Sequence, residues 1–159
     1  MVSQAQLENV LQYVKIGLDE GAELIVGGRR LRGEPYDRGY YMAPTVFTNL
    51  KPGMRLAQEE IFGPVVGIIP VDSLEQAIEI ANGTRYGLSA AICTHDARSI
   101  LEYIRKVDAG VIHINNPTAG AEPHVPFGGF KESTSGYRDM GRAAIEFFTQ
   151  YKTIYFDGV

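Results

Sequence analysis

Cysteine is almost absent from this sequence. Cys93 is the only one among 159 residues, which excludes an internal disulfide and a thiolate metal cluster, and no metal site is expected. A basic excess is absent too: 15 Lys and Arg stand against 19 Asp and Glu, a net charge of −4, which argues against nucleic acid as a partner. The densest basic group, Arg29, Arg30 and Arg32, sits in a glycine-rich turn and reads as a solvated hairpin tip rather than a phosphate site. No apolar run approaches the ~18 residues a membrane span needs, and no N-terminal segment pairs basic with apolar residues as a secretory signal does. A soluble, cytoplasmic protein without membrane partners is the expectation. Also missing are a G-x-G-x-x-G turn, a Walker loop, an internal repeat and a low-complexity tract. What is present is 45% hydrophobic residues, enough for one core.

The pattern along the chain predicts an alternation of helices and strands. Ser3 with Gln6 forms a capping-box pattern, and Leu7, Val10, Leu11, Val14 and Leu18 recur at helical spacing up to Gly21. Strands are predicted at Ala22–Val26 and Tyr40–Phe47, where Pro44 argues for an edge or a bend. Val65–Val71 reads as a strand buried on both faces. Ser73 and Gln76 cap a helix, Leu88–Cys93 is a second apolar strand, Asp96 caps another helix, and Val111–Ile114 is a third strand. Strand, helix, strand, helix, strand with short connections predicts two crossovers and a parallel sheet, with ligand-binding loops beyond the carboxyl ends of its strands. The long loop after Ile114, from Asn115 to Phe127, falls at that rim. A last helix at about Arg142–Phe148 leads into a predicted strand, Tyr151–Phe156.

Two short runs carry the chemistry. Glu59-Glu60-Ile61-Phe62-Gly63-Pro64 sets a carboxylate and an aromatic two residues apart, braced by Gly-Pro. A carboxylate can accept both vicinal hydroxyls of a ribose, and an aromatic can pack on a flat ring. The plainer alternative is an exposed acidic turn before a buried strand, with Phe62 plugging the core. Pro126-Phe127-Gly128-Gly129-Phe130-Lys131 is a tight glycine turn between aromatics, suited to closing a pocket or to packing alone. His124 lies in the loop as a carboxylate contact or as a solvated side chain, and His113, inside a strand, reads as a satisfied core residue. Cys93 and His95 share a strand face, so a dyad is conceivable, although a cysteine in an apolar strand behaves mostly as a small hydrophobe.

In this order, these runs resemble the aldehyde dehydrogenase superfamily, together with Asn82-Gly83-Thr84-Arg85-Tyr86-Gly87-Leu88-Ser89 and Gly110-Val111-Ile112-His113-Ile114-Asn115. The resemblance covers essentially the whole chain. It implies an α/β fold of three layers, a mostly parallel sheet flanked by helices, with residues 1–148 as the C-terminal part of the catalytic domain and 149–159 as an oligomerisation strand and C-terminus. It implies that Glu60 binds the nicotinamide ribose and Phe62 the nicotinamide ring of NAD or NADP. It further implies that Phe127, Asn116 and His124 line the tunnel of a small aldehyde substrate, and that the terminal strand makes a homo-oligomer. The run Ser133-Thr134-Ser135-Gly136-Tyr137-Arg138-Asp139 is one residue longer than the family's usual spacing and ends in Asp rather than Glu. With the Asn-Asn-Pro-Thr-Ala-Gly loop, it is similar to the branch that oxidises 2-oxoglutarate semialdehyde.

Aldehyde oxidation needs a thiolate nucleophile and a carboxylate base. The family's Gly-Gln-x-Cys and Glu-Leu-Gly-Gly motifs, which supply them, do not occur in these 159 residues, and no catalytic residue is assigned here. The expectation is a C-terminal segment that is inactive by itself. The alternative is a naturally short assembly or cofactor-binding module, or the product of a truncated gene.

Overall fold

A computed structural model of the chain describes residues 1–158. The chain divides into two compact units, Met1–Gln76 and Ala77–Val159. The first opens with α1 (Gln4–Asp19), whose N-cap Ser3 accepts a hydrogen bond from the Gln6 backbone at 3.1 Å. Its periodic apolar residues Leu7, Val10 and Val14 are buried, together with Phe47, Leu50, Met42 and Met54, in one core. Strands β1 (Glu23–Val26), β2 (Thr45–Thr48) and β3 (Val65–Gly67) form a sheet in that order, β1 antiparallel and β3 parallel to β2. A one-turn helix, α2 (Arg55–Gln58), leads to the Glu60–Pro64 corner.

Two strand expectations change here. The strand foreseen from Tyr40 begins only at Thr45 and is the middle strand of its sheet. Pro44 falls just before it, where its missing N–H costs no ladder bond. The run Val65–Val71 contributes three paired residues and lies at the outer position, with Val66 and Ile68 exposed rather than buried on both faces.

Helix α3 (Leu74–Asn82) spans the division between the units. Its start is a capping box shifted by one residue: Ser73 Oγ accepts from Gln76 N, while the Gln76 side chain accepts from the Asp72 backbone at 2.7 Å. The second unit contains β4 (Tyr86–Gly87), β5 (Ser89–Ile92), α4 (Ala97–Lys106), β6 (Val111–Ile114), β7 (Phe130–Lys131) and α5 (Gly141–Phe148). Asp96 caps α4 by accepting from Arg98 N and Ser99 N. β5 and β6 run parallel in register, Ser89 beside Val111 through Ile92 beside Ile114, and β4 pairs antiparallel with β7.

The α/β class stands, with its parallel pairs. The three strands foreseen as one sheet are found in two, because β3 pairs with β2 and β5 with β6. The segment Tyr151–Phe156 joins no sheet of this chain: a ladder needs a neighbour, and among the described residues this segment pairs with none. Its Tyr155 is 92% exposed. Val159, the end of the expected oligomerisation segment, lies outside the described residues.

Candidate functional site

The first candidate feature is the corner at Glu60 and Phe62. Glu60 is exposed, and among the described residues no hydrogen bond or ion pair engages its carboxylate. Phe62 is not the core plug that composition allowed: its ring is 80% exposed. Ile61, between them, packs against the core instead. The backbone of Phe62 has φ +53°, a left-handed conformation uncommon for a bulky residue. The corner thus holds an apolar ring in solvent on a strained backbone.

The corner is braced from behind. Arg55 binds Glu59 through two hydrogen bonds of 2.8 Å, and the Tyr13 hydroxyl donates to the same carboxylate at 2.7 Å. The hydrogen bond to Glu59 raises the Tyr13 pKa above its ordinary value, and the same carboxylate pushes the Arg55 guanidinium further up. Gly63 packs onto α1: a Cβ there would lie 2.7 Å from a methyl of Val10, so only glycine lets the corner sit this close. The Gln6 amide departs from its expected capping role. Its Nε2 donates to the carbonyls of Ile61 and Phe62, at 3.1 Å each, and among the described residues its oxygen accepts no hydrogen bond from the Ser3 backbone N–H.

The second candidate feature is a cavity of about 380 Å³ in the other unit. Phe127, half-buried, and Asn116, exposed, both line it, with Val111, His113 and Glu122. His124 does not: it is exposed and outside the lining, its carbonyl lying against Gly141. His113 corrects the expectation of a satisfied core residue, since its Nε2 is buried without a hydrogen-bond partner. Alternation along β6 puts it on the face of Val111, a spacing legible in the sequence. Glu122 carried no such signal.

The glycine turn that presents Phe127 is clamped at several points. Phe127 and Asp139 exchange backbone hydrogen bonds of 2.6 and 2.7 Å. Arg138 donates to the Gly129 carbonyl and lies over the Phe130 ring. Ser133 Oγ accepts from Gly87 N, and Lys131, itself at φ +50°, donates to the carbonyls of Asn82 and Thr84 at 2.8 and 3.1 Å. Lys131 thereby caps the C-terminal end of α3, where a cation is favoured, with Asp108 3.6 Å away. Gly110, just before β6, touches the turn: a Cβ there would lie 2.9 Å from Gly129 Cα.

At the start of the loop, Asn115 (φ +53°) mimics a strand residue. Its side chain accepts from Thr94 N at 2.8 Å and donates to Thr94 O at 2.9 Å. Cys93 lies just past the end of β5 and is exposed, not packed within the strand, and His95 beside it is exposed as well. Among the described residues no cluster of His, Cys, Asp and Glu could hold a metal ion, and no helix is long and apolar enough to cross a membrane.

Residues 1–154 match the aldehyde dehydrogenase family. The chain belongs to that family. It is 46% identical over 155 residues to an alpha-ketoglutaric semialdehyde dehydrogenase of Bacillus subtilis, covering 98% of this chain and 32% of the relative. An alpha-ketoglutarate semialdehyde dehydrogenase of Haloferax volcanii is 45% identical over 155 residues, covering 97% of this chain and 32% of the relative. The crystal structure of an NAD-dependent aldehyde dehydrogenase from Sinorhizobium meliloti superposes with a TM-score of 0.89 at 38% identity, covering 96% of this chain and 29% of that one. The chain thus spans about a third of the length of these relatives.

Proposed function

We propose that this chain serves the active site of an NAD(P)-dependent aldehyde dehydrogenase that oxidises a semialdehyde to its carboxylate. The observation that carries the reading is the corner itself: a carboxylate without a partner among the described residues and an 80% exposed aromatic ring, two residues apart on a braced turn. That pair suits a dinucleotide's nicotinamide half. Glu60 would accept the two ribose hydroxyls and Phe62 would pack on the ring, whose chemistry when bound is to accept hydride. Phe127 and Asn116 would form part of the tunnel wall, Phe127 excluding water with its ring and Asn116 offering an amide to polar substrate atoms. His124, exposed at the loop, would meet substrate only at the mouth. The names of the Bacillus and Haloferax relatives favour 2-oxoglutarate semialdehyde as the aldehyde.

NADP is included because no residue here bears on an adenosine 2′-phosphate. Residues 149–159, with Tyr151, Ile154 and Phe156 exposed, would pair with another subunit, making a homo-oligomer in the cytoplasm. Neither nucleophile nor base is assigned, because neither motif occurs in these residues.

The test is ligand-observed NMR of the 159-residue chain with NADH. Saturation transfer to the dihydronicotinamide protons, lost in Phe62→Ala and weakened in Glu60→Gln, is the expected result. Transfer that survives both substitutions would refute the clamp. In the same preparation, NAD+ with a semialdehyde should form no NADH; formation that depends on Cys93 would overturn the assignment of roles.

A further inference from the structure

We infer that Gln6, on the first helix, is a positioning residue for the nicotinamide clamp: its amide selects the left-handed backbone that presents Phe62. The inference rests on the clamp reading above, but its geometry is independent of it. In extended chain, consecutive carbonyls point to opposite sides. The carbonyls of Ile61 and Phe62 converge on one nitrogen, Gln6 Nε2, at 3.1 Å each. An amide nitrogen has two N–H groups, enough to serve both carbonyls. Turning both carbonyls to the same side requires the residue whose φ and ψ separate them, Phe62, to leave the extended region, and its φ of +53° shows that it has.

The partners are 55 and 56 residues apart in sequence, so this is a tertiary contact rather than a helix cap. Helix α1 is fixed in the core by Leu7, Val10 and Val14, and Gln6 therefore works from a rigid base. The neighbouring contacts restrict the corner on both flanks. Before it, Glu59 is held by Arg55 and Tyr13; after it, Gly63 lies against Val10. Neither flank touches the two carbonyls. Without the amide, neither of these braces offsets the strain at Phe62, and the backbone should relax towards φ below zero, re-aiming the ring.

The sequence contains no tryptophan, so Phe62→Trp supplies a single indole fluorophore at the clamp. In that background Gln6→Met keeps the length of the side chain and removes both donors, and Gln6→Glu keeps the shape while setting a carboxylate against two carbonyls. Both should lower the steady-state anisotropy of the indole. In the chain with Phe62 intact, hydrogen exchange over residues 61–65 should become about tenfold faster in Gln6→Met, the effect of losing two hydrogen bonds. Met42→Ala weakens the same core outside the helix that carries the amide, and should leave the anisotropy where it was. Unchanged anisotropy and exchange in Gln6→Met, or an equal change in Met42→Ala, would overturn the inference. NADH titration, read as energy transfer from the indole, separates the two ideas. Loosening by Gln6→Met with no transfer in the parent sustains the positioning role and sinks the cofactor role. Transfer that is unaffected by Gln6→Met does the reverse.

Discussion

The two turns that carry the candidate features solve one problem in different ways. Each contains a non-glycine residue in the left-handed region, Phe62 at φ +53° and Lys131 at φ +50°. Each also commits side-chain donors to pairs of backbone carbonyls. At the first turn the donor is a neutral amide on a distant helix, and the strained residue is the one left open to solvent. At the second turn the strained residue is itself the donor, a cation that reaches two carbonyls at the end of α3, with Arg138 also holding the turn. The first turn is shaped by the core and presents its own side chain. The second ties itself down and leaves presentation to its neighbour, Phe127. A strained residue is therefore a display position in one case and an anchor in the other.

The comparison breaks most readily at the anchor. Lys131→Met removes a charged donor from two carbonyls and should cost the second unit about 3 kcal/mol, read as a lower urea midpoint. A loss within a few tenths would mean that Lys131 is displayed rather than tied. Gly110→Ala drives a methyl into the Gly128–Gly129 backbone and should cost about 2 kcal/mol, with the cavity under Phe127 distorted. Crystals showing an unmoved Phe127 would refute that coupling.

At the first turn, Tyr13→Phe should cost only about 1 kcal/mol, because Arg55 still holds Glu59. The same variant sharpens the electrostatics. Since Glu59 raises the Tyr13 pKa in the folded state, this contribution to stability is complete at neutral pH and fades as pH climbs through the raised value. Absorbance at 295 nm should show two tyrosines titrating late, Tyr13 and the buried Tyr103, and one fewer in Tyr13→Phe. The smallest effect lies outside both turns. Hydrogen bonds from Ser99 lower the Asp96 pKa below its ordinary 3.8, so the stability it adds is present above that value and lost as pH falls through the lowered one. Asp96→Asn keeps the cap and should flatten that part of the acid limb of a denaturation curve.

Helices were legible in the sequence because capping and periodicity are local: Ser3, Ser73 and Asp96 cap where their spacing predicts. Val111–Ile114 likewise forms as read. Strands fared less well where pairing, not composition, decides. Val65–Val71 and Tyr151–Phe156 have strand composition, but only partners make a ladder, and these lie beyond any local window. The motifs Glu60–Phe62 and Pro126–Lys131 stood out as short runs. What holds the first of them did not, because Gln6 and Tyr13 are 56 and 46 residues from the atoms they bind. Gln6 also fits a capping box, and that local reading concealed its long-range one. His113 was misjudged for a related reason: a strand position tells which side a residue faces, not whether its nitrogen finds a partner.

The bond pair between Asn115 and Thr94 has a consequence for how this protein can change. It closes the end of the β5–β6 pair with a side chain, so the register of that pair is set where the loop begins. Residues 116–126 can then be lengthened, shortened or rewritten without sending a register error back into the sheet. A lineage that keeps Asn115 and the Gly128–Lys131 turn holds a cassette between two fixed posts, whose own sequence can vary at little structural risk.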